Sequence, residues 1–194
     1  MVITISRQFA TGGHTIAQRV AEKLGIAFYD KELVNRVAEQ SGYDVDFVTR
    51  QGEYIGSKSL LFDIVTRNRA SYEDPTDKLF RIQKQIILEL GAKEDCVIVG
   101  RCAGFLLQEA GIDCLRVFIG ADMDYRKAYV QSHYEDTGVP VEKRLKERDS
   151  HRQSYVQHYT GAVWGERENY NLCLDSGKLG EDACVDIIVR AAQK

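Results

Sequence analysis

The sequence has little proline, two residues in 194, and contains no low-complexity linker and no internal repeat. No apolar run approaches the roughly 20 residues of a membrane-spanning helix, so no membrane partner is expected. Positive charge is not in excess. Lys and Arg total 26 against 29 Asp and Glu, a net charge of −3, and nothing global points to nucleic acid or an anionic membrane. The five cysteines are odd in number and form no CxxC pair. That argues against a disulfide framework and a zinc site, and reduced thiols in a cytosol fit better. The four histidines are scattered; His151 and His158 lie two helical turns apart with no other ligand type beside them. The sequence enters a strand directly, without the charged and apolar regions of a secretory leader, and a cytoplasmic protein is expected. What remains is ordinary for a soluble globular chain: 44% hydrophobic and 28% charged residues. A chain of this length forms one domain and buries roughly 70% of its unfolded surface.

Short apolar runs alternate with helical periodicity. Val2–Ile5 reads as a buried parallel strand. From Thr15, Ile16, Val20 and Leu24 recur at i, i+4 and i+8, and Gly25 stops that helix. Ala27–Tyr29 is a second strand, and Asp30 is read as the cap of a helix to about Gln40. Short helices are expected over 45–50 and 58–69. Asp74 and Pro75 open the next helix, with Leu79, Ile82, Ile86, Ile87 and Leu90 inward and Gly91 as its end. "CVIVG" (96–100), "CLRVFIG" (114–120) and "YNLCLDS" (170–176) are three further strands, and helices are expected to about 110 and over 122–136, 141–158 and 181–192. Five such strands alternating with helices predict a parallel sheet covered on both faces, an α/β fold of three layers.

The first strand leads through "RQFATGG" into a helix, the arrangement that holds phosphate on backbone N–H groups and the positive end of the helix dipole. The GxxxxGK[ST] pattern is not met. Its first glycine is Arg7, its second Gly12, its lysine Gly13 and its hydroxyl position His14, with Thr15 next. Gly12 and Gly13 still let a phosphate approach the backbone, and Arg7 at the loop mouth is placed to add charge. The alternative is that the glycines make only a tight turn. Thr15 is a candidate magnesium ligand or a helix cap.

Basic residues elsewhere suit the same chemistry. Arg101 follows an apolar strand at its carboxyl end, where open parallel sheets bind ligands, and its planar fork suits phosphate. Arg144, Arg148 and Arg152 recur every four residues, about 6 Å apart along one helix stripe. They read either as a solvated, ion-paired face or as phosphate-binding groups. The segment 138–168 is bounded by Gly138, Pro140, Gly161 and Gly165 and is the expected mobile element. Its aromatics, Tyr155, Tyr159, Trp164 and Tyr170, are read as core packing or a contact within a homo-oligomer rather than as base stacking.

Several segments together resemble the cytidylate kinase-like family, P-loop relatives of the nucleoside monophosphate kinases. They are "ITISRQFATGGHTIAQRVAEKLG", "FYDKELV", "VIVGRCA" and, most specifically, "ERDSHRQSYVQHYTGAVWGERENYNLCLDS". The resemblance implies a P-loop NTPase fold with a small acceptor-binding insertion (42–73) and a helical lid (138–168). It implies ATP with Mg2+ as phosphoryl donor and a nucleotide, CMP-like, or another small molecule as acceptor. Arg7, Gly12, Gly13, His14 and Thr15 would lie on the donor. Asp30, Arg36 and Arg101 match acceptor-binding positions, and Arg148, Asp149 and Arg152 match the lid's "RDxxR" and would act on the transferring group. Two acidic positions on the base-reading side are Val99 and Cys102 here. A nucleotide-binding or regulatory protein with a kinase fold and little turnover is the alternative that Gly13 keeps open.

Overall fold

The computed structural model describes residues 1–51 and 74–193. Its elements are β1 (Val2–Arg7), α1 (Gly13–Leu24), β2 (Ala27–Tyr29), α2 (Lys31–Ser41), α3 (Val45–Gln51), α4 (Pro75–Lys93), β3 (Cys96–Val99), α5 (Ala103–Glu109), β4 (Cys114–Gly120), α6 (Met123–His133), α7 (Val141–Thr160), β5 (Leu172–Asp175) and α8 (Ser176–Ala192). A single 3-10 turn, Arg167–Asn169, precedes β5. All strand pairs are parallel, in the order β2-β3-β1-β4-β5.

Alternation along β1 builds the two sides of the core. Ile3 and Ile5 join Ile16 and Val20 of α1 and Val185 and Ile188 of α8 on one face. Val2, Cys96 and Ile98 turn the other way, onto Leu33 and Val37 of α2, Ile87 and Leu90 of α4 and Leu106 of α5. A smaller cluster of Phe9, Ala10, Val130 and Leu145 ties the β1–α1 loop to α6 and α7. The three-layer α/β/α expectation is met. From β1 the chain runs to one edge of the sheet, and from β4 it runs to the other. The strand order therefore reverses between the carboxyl ends of β1 and β4, the place where such sheets bind ligands.

Some local expectations change. Asp74 caps α4 as expected, its Oδ1 accepting from Thr76 N at 2.7 Å with Pro75 in the first turn. Gly91, however, does not end α4, which runs on to Lys93. A Cβ there would lie 2.4 Å from Leu107 Cδ2, so this glycine lets α4 and α5 approach closely. Asp30 occupies the N-cap position of α2 but makes no side-chain cap. Thr15 is not a cap either, because α1 already begins at Gly13 behind Gly12. The helix expected over 181–192 is present; Gly180, at φ 78°, separates it from a short helical turn that begins at Ser176, and the two together make up α8. The expected helix over 58–69, and with it most of the proposed insertion over 42–73, lies outside the described residues; α3 falls where the first short helix was expected.

The segment 138–168 is docked on the body. Leu145, Tyr155 and Val156 of α7 are buried. Tyr159 stacks on Phe80 with ring centroids 3.8 Å apart, and Trp164 and Tyr170 pack against Phe118. These aromatics belong to the packing of this chain. All five cysteines are free. Among the described residues no helix is long and apolar enough to cross a membrane.

Candidate active site

The β1–α1 loop is held from several distant segments. Gln8 N donates to Ile119 O at 2.9 Å, and Gln8 Oε1 accepts from Ala121 N at 3.1 Å. Thr11 Oγ1 donates to Gln8 O, and Ser176 Oγ donates to Thr11 O at 2.8 Å. From α7, Asp149 Oδ1 accepts from Phe9 N at 2.8 Å, Arg152 Nη1 donates to Arg7 O at 2.9 Å, and the Arg148 guanidinium lies 5.6 Å from the centre of the Phe9 ring. Ala10 sits at φ 62° and Gly12 at φ 69°, left-handed conformations that bend the loop into the helix. The helical ladder starts with Ile16 N on Gly12 O. The amides of Gly13, His14 and Thr15 thus precede the ladder and stand at the positive end of α1.

The missing lysine has a steric counterpart. A Cβ built on Gly13 would lie 2.7 Å from Arg7 Cβ and 3.0 Å from Arg7 Cγ. Arg7 fills the place where a residue 13 side chain would leave the loop. Gly13→Lys is therefore expected to lower stability by about 1–3 kcal/mol, the usual range for overpacking, as read from urea unfolding. A neutral result would show that Arg7 moves aside freely.

Two cavities adjoin at this loop. One, about 350 Å³, runs along residues 7–15 and includes Gly12, Gly13, His14 and Thr15 in its wall. The other, about 440 Å³, is bounded by α2, α3 and α7 and includes Arg101 and Arg148. They share Arg7, Asp30, Lys31 and Arg152. Among the described residues, the second wall carries five cations, Arg7, Lys31, Arg101, Arg148 and Arg152, against one carboxylate, Asp30. The chain as a whole has a net charge of −3. Gathering like charges around one opening is unfavourable without an anion to face them.

Each side chain has an identifiable support. Arg101 is 6% exposed. Gly100, Arg101 and Cys102 all have φ between 54° and 71°, a left-handed run that turns the chain off β3 and into α5. Such backbone is costly for residues with a Cβ and is characteristic of functional sites. Arg101 Nη1 donates to Gln83 Oε1 at 3.0 Å, and Gln83 Nε2 reaches Arg101 O and the Tyr155 hydroxyl. Asp30 Oδ2 lies 2.8 Å from His14 Nδ1, joining the end of β2 to the first turn of α1. Asp149 does not face either cavity. Its carboxylate is clamped between Phe9 N and Arg126, whose side chain is only 4% exposed. Burial pushes the Asp149 carboxyl up, against the opposing pull of the Phe9 amide and Arg126. Thr15 lines the loop cavity together with Tyr129, whose hydroxyl donates to Glu181 Oε1 at 3.4 Å.

The structure therefore brings together Arg7, Gly12, Gly13, His14, Thr15, Asp30, Arg101, Arg148 and Arg152. It does not bring Arg36 to them. That arginine pairs with Glu32 at 2.8 Å and lies over the Tyr29 ring. The arginine stripe of α7 also divides, since Arg144 Nη1 donates to Glu135 O. Sequence reasoning missed Lys31, Gln83, Arg126 and Ser176. Gln83 left one legible sign, a polar residue on the stripe of α4 that carries Leu79, Ile86, Ile87 and Leu90. The others show no local pattern.

Comparison with known proteins bears on the family and the fold. The chain is 28% identical over 199 residues to a cytidylate kinase of Archaeoglobus fulgidus, covering 100% of this chain and 95% of that protein. A solved structure of an uncharacterized protein from Eubacterium ventriosum is 25% identical, with a TM-score of 0.70 and coverage of 100% and 99%. Shikimate kinase from Bacteroides thetaiotaomicron shares the fold at 11% identity, with a TM-score of 0.58 over 100% of this chain and 99% of that one. The model of the cytidylate kinase-like family matches residues 2–178, and the chain belongs to that family.

Proposed function

We propose that the protein is a phosphotransferase that moves the γ-phosphoryl group of ATP to a nucleoside monophosphate, CMP-like, or to a similar small acceptor. The observation that carries this reading is the wall that gathers, among the described residues, five cations and one carboxylate beside the helix-terminal loop. The donor's phosphates lie along the amides of residues 12–15, under Arg7. The acceptor occupies the larger cavity, held by Arg101 and Arg148. Arg152, common to both cavities, stands where donor and acceptor meet. Phosphoryl transfer needs positioning and positive charge at the equatorial oxygens more than covalent chemistry, and guanidinium groups supply both. Asp149 acts through others, fixing Phe9 and Arg126.

The oxygen donors near the loop are compatible with Mg2+ held mainly by phosphate and water, its usual habit in such sites. Asp30 and Thr15 line the loop cavity, and among the described residues no group of three or more His, Cys, Asp or Glu forms a cage. Asp30 and Thr15 would hold the ion on the nucleotide, where it would neutralise charge on the phosphates.

The steric block at Gly13 favours one rival, a protein that binds nucleotide with little or no turnover. A coupled ADP-release assay with ATP and a panel of nucleoside monophosphates, small alcohols and acids separates the two. Turnover with at least one acceptor, well above ATP hydrolysis alone, is the expected result. Calorimetric binding of ATP with no turnover across the panel would favour the rival.

A further inference from the structure

Among the described residues, Lys31 is the one lysine in the wall common to the two cavities; the other shared residues are Arg7, Asp30 and Arg152. It opens α2, directly after Asp30, and its side chain is exposed. A cation in the first turn of a helix gains nothing from the helix dipole, which favours acidic residues there. The fold alone thus gives no reason for an ammonium at this point. The loop, in turn, has no room for one at residue 13, where Arg7 Cβ stands 2.7 Å from a built Cβ. The two neighbouring arginines have structural tasks. Arg152 donates to Arg7 O, and the Arg7 stem packs over Gly13. Lysine differs from both in carrying a compact charge on a flexible unbranched stem, which follows a moving phosphoryl group without a fixed fork geometry.

We propose that Lys31 supplies, from the start of α2, the ammonium that the phosphate loop lacks, and that it binds the transferring phosphoryl group at the junction of the donor and acceptor cavities. The inference rests on the phosphotransferase reading. It places the ammonium on the terminal phosphate of the donor, because the inner phosphates lie against the amides of residues 12–15 while Lys31 faces the opening between the cavities.

Calorimetric titration of wild-type protein, Lys31→Ala and Lys31→Arg with ATP and with ADP tests it. Lys31→Ala is expected to weaken ATP at least tenfold and ADP less than threefold, and Lys31→Arg to recover most of the ATP affinity. Unchanged ATP affinity in Lys31→Ala, or equal losses for ATP and ADP, would overturn the assignment while leaving the phosphotransferase reading intact. Absence of ATP binding by the wild-type protein would remove that reading and this inference together. Far-ultraviolet circular dichroism and urea midpoints within error of wild type confirm that the exposed substitution leaves the fold unchanged.

Discussion

Arg126→Ala is expected to destabilise the protein by about 3–5 kcal/mol, the range for removing one partner of a buried ion pair. The Arg126 side chain is 4% exposed and its Nη1 lies 2.5 Å from Asp149 Oδ2. Burial already pushes the Asp149 carboxyl up, and the Phe9 amide and Arg126 are the main groups pulling the other way. Without Arg126 the carboxylate stays buried with less compensation. The loss is expected to be largest at neutral pH and to shrink as pH falls. A carboxyl whose folded-state value is raised takes up its proton earlier when folded than when unfolded. Acid therefore favours the folded variant until that group is protonated in both states. Urea unfolding of the single variants and of Arg126→Met/Asp149→Leu checks the mechanism. The double variant is expected to be closer to wild type than Arg126→Ala, because it removes both charges. A double variant as unstable as the sum of the singles would show that the pair is not the cause. The consequence for the site is direct, since Asp149 also holds Phe9 and the loop would loosen with it.

Arg152→Ala is expected to lower turnover by about 10²–10³-fold, equivalent to about 2.7–4 kcal/mol, as for removal of one preorganised donor to a transition state. Arg152 lines both cavities and also holds the first turn of the loop through Arg7 O. Its loss removes a charge at the transferring group and a support of the donor cradle together. Arg152→Lys keeps the charge but not the fork, and should recover only part of the rate. Steady-state kinetics with the acceptor identified from the panel measures both. An effect under threefold on kcat/KM for Arg152→Ala would place the transition-state charge elsewhere in the wall.

Much of this site was legible residue by residue. The turn at Gly12–Gly13, the arginine after β3 and the four-residue spacing of Arg148 and Arg152 follow from local pattern, and all end up on the two cavities. Arg36 shows the limit. A neighbour four residues away, Glu32, and the Tyr29 ring claim it, and no spacing rule weighs such partners against a distant ligand. Asp30 is similar, since an N-cap position suggested a local bond and the structure pairs it with His14 on another element.

Sequence by itself determined the alternation of five apolar strands with amphipathic helices, and so the layered parallel sheet and the loop at its carboxyl edge. The reason is that side-chain periodicity and capping act within a few residues. Only the tertiary structure decided that Asp149 grips a backbone amide 140 positions away, that Arg152 supports a carbonyl 145 positions away and that Lys31 faces both cavities. Those outcomes depend on strand order and on the seating of α2 and α7, which are fixed by burial across the whole chain rather than by any segment alone.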